Sequence, residues 1–161
     1  MISIRKATSE DTPEIVDMHI ALKRHLEASN PHIWKTTTNR EKLTETYQNP
    51  DLLLYITTTN NTTNGYICGQ IQTRTNMTPH KIGFIRNIYV KPEHRHKGTA
   101  TKLVKTLCNH YTQQNVDEVN LRYVIGNKEA ENFWNKLGFR PNIVTANKSL
   151  KELNVTLQGS L

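Results

Sequence analysis

Cysteine is scarce in this chain: Cys68 and Cys108 are the only two, far apart and in no CxxC pair. That excludes a disulfide framework and a zinc-finger spacing as organising principles. Both lie in apolar patterns and are expected as buried, reduced thiols, which points to a cytoplasmic protein. Long apolar runs are missing as well. Nothing approaches the roughly 18 residues of a membrane span, and Arg5, Lys6 and Glu10 break any signal-peptide core at the start. The phosphate-binding motifs GxxxxGK[ST] and GxGxxG are absent, so ATP and NAD have no motif here. Acidic residues are the minority charge: 14 Asp and Glu stand against 21 Lys and Arg, a net charge of +7. An excess of this sign favours anionic partners such as nucleic acid, a membrane surface, an acidic protein or a phosphorylated cofactor.

The 161 residues suit one domain, residues 1–161, large enough to fold around a single core without a metal staple. Hydrophobic residues make up 35%, low because Thr and Asn are abundant, as in Thr57-Thr58-Thr59-Asn60-Asn61-Thr62-Thr63-Asn64. Neither that share nor the 22% charged residues match a disordered chain.

Periodicity orders the elements. Ile2 to Lys6 reads as a strand. Ser9 or Asp11 can cap a helix that carries Pro13 in its first turn, with Ile15, Met18, Leu22 and Leu26 at helical spacing up to Asn30-Pro31. A weaker helix covers about Asn39 to Gln48. Asp51 to Thr58 and Gly65 to Arg74 form a hairpin around a turn at Asn60 to Gly65, and Lys81 to Val90 continues the meander. Ala100, Leu103, Val104, Leu107, Cys108 and Tyr111 mark a strongly amphipathic helix. Val119, Leu121 and Tyr123 alternate as a strand, and a right-handed crossover makes it parallel to the strand before the helix. Ala130 to Leu137 is a short helix ended at Gly138. Phe139 to Leu157 is expected to add two strands. The whole is one mixed α/β domain.

One segment carries chemistry. A strand ends at Val90, Pro92 follows, and a basic loop with a single glycine leads into the amphipathic helix. The first turn of a helix presents unpartnered N–H groups and a positive dipole end. Gly98 has no Cβ to keep an anion from the backbone, and Thr99 and Ala100 are small. Lys91, Arg95, Lys97, Lys102 and Lys105 stand against one acid, Glu93. This is a cradle for phosphate; a plain turn with a solvated basic helix face is the other reading of the same residues.

Three motifs favour the cradle. Arg95-His96-Lys97-Gly98-Thr99-Ala100 matches Arg/Gln-x-x-Gly-x-Gly/Ala. Asn127-x-x-Ala130-x-x-Phe133-Trp134-x-Lys136-Leu137-Gly138-Phe139 is similar to Asn-x-x-Ala-x-x-Phe-Tyr-x-Lys-x-Gly-Phe. Ile4-Arg5-Lys6-Ala7-Thr8 with Asp11 is similar to the matching opening. Together they resemble the GNAT N-acetyltransferase superfamily over nearly the whole chain. The resemblance implies a mostly antiparallel sheet with helices on both faces and a splayed parallel strand pair that binds acyl-CoA. It implies acetyl-CoA as cosubstrate and direct transfer of acetyl to a primary amine, in a monomer or homodimer. Ile88, Tyr89 and Val90 would pair by backbone with the pantetheine arm. The Ile88 amide would stabilise the developing oxyanion, worth about 3 kcal/mol for one donor. Arg95, His96, Lys97, Gly98, Thr99 and Ala100 would hold the pyrophosphate. Asn127 would bond the pantetheine end, and Phe133 and Trp134 would line the cofactor. Tyr89 is expected to face away from Ile88 and Val90.

Trp134 departs from the pattern. The family commonly has a tyrosine there, able to protonate the leaving thiolate, whereas indole is a donor with no proton to give up. Candidates for the base are Tyr123, His19, His25 and Glu27. His94 and His96 have no evident third ligand, so no metal is expected. Acceptor choice would fall to residues 21–48, which include Trp34 and Tyr47. Two rival readings stand beside the enzyme: a CoA-binding sensor without turnover, and a basic nucleic-acid-binding module. The latter lacks a recognition helix with interleaved aromatics.

Overall fold

The computed structural model describes residues 2–33 and 35–159, so Trp34 lies outside the described residues. Five strands form one sheet in chain order: β1 (Ser3–Lys6), β2 (Leu53–Thr59), β3 (Thr62–Thr73), β4 (Lys81–Val90) and β5 (Glu118–Leu121). Neighbours are antiparallel except β4 and β5, which are parallel as the intervening crossover requires.

Alternation along the strands sends side chains to two cores. Leu54, Ile56, Tyr66 and Cys68 pack with Ile15, Val16 and Met18 of α1 (Thr12–Ser29) and with Tyr47 of α2 (Arg40–Tyr47). On the other face, Ile67, Ile85 and Val90 pack with Leu103, Val104, Leu107 and Tyr111 of α3 (Thr99–Gln113) and with Trp134 of α4 (Lys128–Lys136). Tyr89 joins the first core while Ile88 and Val90 join the second, as the alternation predicts.

Helix α1 starts where Asp11 is committed to other partners. Its carboxylate accepts from Arg5 at 2.7 and 2.8 Å and from the Thr8 N–H at 2.8 Å, so it pins β1 to the helix instead of capping the helix itself. The Arg5 guanidinium holds the Asp11 carboxyl down at about 2. Ile15 and Met18 are buried, but Leu22 and Leu26 on the same stripe face cavities. Helix α3 is seated by Tyr111, whose ring lies where a Cβ on Gly83 would come within 2.5 Å, and whose hydroxyl donates to Phe84 O at 3.1 Å.

Three sequence expectations need correction. The hairpin turn is two residues, Asn60 and Asn61, both at positive φ, not the six from Asn60 to Gly65. Asn tolerates that conformation, and buried Asn64 then bonds Thr57 and Thr59 across the strands, so polar composition here belongs to a strand. Strand β5 stops at Leu121, which leaves Tyr123 beyond its end. Residues 139–157 add no strand. Ser149 accepts from the Glu152 N–H and caps α5 (Leu150–Gln158), with Leu150, Leu153 and Leu157 along one exposed face. None of the described helices is long and apolar enough to cross a membrane.

Candidate active site

The parallel pair does not run the length of β4. Its register with β5 extends only from Ile82 opposite Glu118 to Ile85 opposite Leu121, while β4 continues to Val90 beside β3. The break falls at a β-bulge. Gly69 faces Ile85 and Cys68 faces Asn87, so Arg86 is an extra residue on β4. A bulge bends its strand and increases local twist, and here it turns residues 86–90 away from β5.

A cavity of about 680 Å³ lies beyond the parting point. Ile88, Tyr89 and Val90 form one wall, the loop and first turn of α3 a second, and Asn127, Phe133 and Trp134 of α4 and its entry a third. Of the residues singled out from sequence, Arg95, His96, Gly98, Thr99 and Ala100 also line it. Lys97 does not; its ammonium donates back to Glu93 O at 2.9 Å. Tyr123 does not either; it packs against the second core. Six further lining residues carried no motif signal of their own as ligands: Leu22, Thr101, Glu129, Ala130, Asn132 and Lys136. Ala130 and Lys136 are pattern positions in the second motif, and the stripe containing Leu22 was visible as a helix face.

Gly98 caps α3 at φ 74°, a conformation glycine adopts without steric cost, and a Cβ there would meet nothing within 4 Å. Gly98 lines the cavity, so its backbone is open to that space. The first helical bond at this end runs from the Lys102 N–H to Gly98 O, leaving the amides of Thr99, Ala100 and Thr101 ahead of the helical ladder. His96 takes φ 58° to turn the loop into this position.

The cations of the loop are less free than their number suggests. Lys91 pairs with Glu14 at 2.9 Å. Arg95 donates through Nε to Val90 O at 2.9 Å, pairs with Glu129 at 3.1 Å, and lies 5.5 Å from the Tyr89 ring centre. It thereby bridges the α3 loop to α4 across the cavity entrance. Asn127 accepts from the Ala130 N–H at 3.3 Å, so it caps α4 as well as facing the cavity. Trp134 is 4% exposed, edge-on to Phe133 at 4.8 Å and to Phe139 at 5.3 Å between ring centres, a wall of packed aromatics.

These features have a counterpart among known proteins. Residues 19–139, three-quarters of the chain, match the acetyltransferase (GNAT) family. The chain belongs to the GNAT acetyltransferase family. Solved structures of the same fold include a four-substitution variant of a Bacillus halodurans protein, 18% identical, with a TM-score of 0.80 over 92% of this chain and 99% of that one. A predicted acetyltransferase from Clostridium acetobutylicum, solved with acetyl-CoA, is 21% identical with a TM-score of 0.76, covering 94% of this chain and 98% of its own. A ribosomal-protein-alanine N-acetyltransferase from Brucella melitensis is 13% identical with a TM-score of 0.73, over 93% and 99% of the two chains. A search of curated proteins found no match. At these identities the likeness to each structure is one of fold.

Proposed function

We propose that this GNAT protein transfers acetyl from acetyl-CoA to a primary amine by direct attack within a ternary complex. The observation that carries the reading is the cavity itself, opening where β4 and β5 part and reaching the amides of α3 that precede the helical ladder. Its shape suits a ligand with an extended arm and a diphosphate. The arm would run along Ile88, Tyr89 and Val90, and the diphosphate would sit against Arg95, His96, Gly98, Thr99 and Ala100, with Lys97 as an outer charge. Asn127, Phe133 and Trp134 would close the far wall. The Clostridium structure with acetyl-CoA supports the choice of ligand.

In the reaction the amine nitrogen attacks the thioester carbon and the C–S bond breaks. The carbonyl oxygen would gain charge near the Ile88 amide, the backbone donor proposed for it in the cavity wall. With Trp134 in place of a phenol, the departing sulfur has no dedicated acid at that position. The same substitution favours one other reading, a CoA-binding domain without turnover. Release of free thiol from acetyl-CoA decides between them. The acceptors to offer are short alkylamines, a polyamine, a lysine-bearing peptide and a peptide with a free N-terminus. Turnover with one of them is expected; tight binding of acetyl-CoA without turnover of any would establish the sensor.

A further inference from the structure

A second, smaller cavity of about 190 Å³ lies on the α1 side of the sheet. His19, Lys23 and Glu27 of α1 line it, with Thr36 and Asn87 opposite. It adjoins the large cavity: Leu22 lines both, and Asn87 directly precedes Ile88 on β4. A nitrogen held in the small cavity would therefore approach the carbonyl placed at Ile88. The space is ample for an aminoalkyl arm.

His19 sits in this wall on a hydrogen-bonded platform. Its Nδ1 is 2.7 Å from Tyr47 Oη, and Tyr47 Oη is 3.1 Å from Tyr66 Oη and 3.4 Å from Asn87 Oδ1. One arrangement of protons suits a base. Tyr47 donates to Asn87 Oδ1, and its Oη accepts from the Tyr66 O–H and from His19 Nδ1–H; Tyr66 Oη also lies 3.4 Å from His19 Nδ1. Burial pushes both phenols above their ordinary range, so both remain donors throughout neutral pH. With the proton on Nδ1, the lone pair of the neutral ring is on Nε2, the nitrogen left for the cavity.

We propose that His19 is the base that accepts a proton from the acceptor amine, with Tyr47, Tyr66 and Asn87 holding its ring in the required tautomer. This rests on the transferase reading above. The acceptor enters as R–NH3⁺. His19 Nε2 takes one proton, the amine forms the C–N bond, and the C–S bond breaks. The second nitrogen proton ends on the sulfur, and His19 returns its proton to solvent, so the sum is amide, thiol and H⁺. The other sequence candidates are placed less well. Glu27 lines the small cavity but lies 3.9 Å from Lys23. His25 faces the large cavity, and Tyr123 lines neither.

The surroundings of His19 keep it neutral. Lys23 and Glu27 lie on its own helix, Tyr47 on α2, Tyr66 and Cys68 on β3, and Arg86 on β4. Burial, then Lys23 and Arg86, hold its pKa below 6.5, and buried Cys68, raised to about 12, carries no charge near neutrality. The free base is thus the populated form at pH 7.

The test uses the full chain, acetyl-CoA and the fastest acceptor in the amine panel. His19→Asn places an amide N–H where Nδ1–H was and removes the base. Turnover at pH 7 should fall about 10²-fold, since general-base assistance is worth 10²–10⁴, with acetyl-CoA affinity and melting temperature retained. Wild-type kcat/KM should carry an acid limb below pH 6.5. The variant should lose that limb and regain rate as pH approaches the amine's own pKa. Tyr47→Phe should give an intermediate loss with the limb displaced. Wild-type-like turnover in His19→Asn would overturn the base assignment and leave the transferase reading intact; no turnover by wild type would overturn both. NMR of the ring nitrogens in the free protein adds a test independent of any acceptor. The Nδ1–H form is expected, and a resting Nε2–H form would overturn the assignment.

Discussion

Gly98 and Trp134 bear opposite kinds of constraint. Gly98 has empty space around it, so its replacement is judged by what it would exclude from the cavity. Gly98→Glu adds bulk, negative charge and strain at φ 74°. Binding of acetyl-CoA, read by calorimetry, should be lost at least 10²-fold while the circular dichroism of the fold is retained; unchanged affinity would remove the cradle from the site. Trp134, by contrast, is packed on two sides by Phe133 and Phe139. Trp134→Phe should keep most turnover and lose about 1–3 kcal/mol of stability from the thinner wall. Trp134→Tyr tests whether a phenol can serve the leaving thiolate, and a gain of less than about tenfold in kcat is expected because the pocket is shaped to indole. Near-complete loss of activity in Trp134→Phe with normal acetyl-CoA binding would make the indole a participant. Motif spacing brought most of these residues into view before the fold did. It could not display Glu129, because an acid in the first turn of α4 becomes a site residue only when folding brings it to Arg95.

At the level of elements, the proposed site depends on α3, because the cradle is proposed at its first turn and its last turn is locked by Tyr111. Gly83 makes room for that ring. Gly83→Ala should destabilise the protein by about 1–3 kcal/mol through overpacking, measured by urea denaturation, although alanine is the better strand residue by entropy alone. A neutral or stabilising effect would mean that α3 can shift without cost. The amphipathic pattern of α3 was plain in sequence because its buried residues repeat without interruption. The end of the chain was not. Ile143, Val144 and Val155 suggest strand by composition, yet Ser149 accepts from the Glu152 N–H and donates its hydroxyl to the Glu152 carboxylate, and this local N-cap hydrogen bonding takes the helix. The bulge at Arg86 had no sequence signal, since one extra residue in a strand leaves the composition untouched.

For the molecule as a whole, ligand binding and stability are linked. Acetyl-CoA that binds only the folded chain should raise its melting temperature, by about 2.7 kcal/mol of added stability at a hundredfold excess over Kd. NAD should give no shift, and ATP at most a small one. Absence of a shift with saturating acetyl-CoA would count against the proposed ligand. The net charge of +7 bears on this behaviour in a way its total conceals. Arg95 lines the cavity and already holds the carboxylate of Glu129 at 3.1 Å through one Nη atom. A guanidinium carries five N–H donors, so this pair offsets part of its charge without using up the fork. A lone chloride or monophosphate should therefore be held weakly by a half-neutralised cation, while a diphosphate that also reaches the amides of α3 would have a second point of attachment.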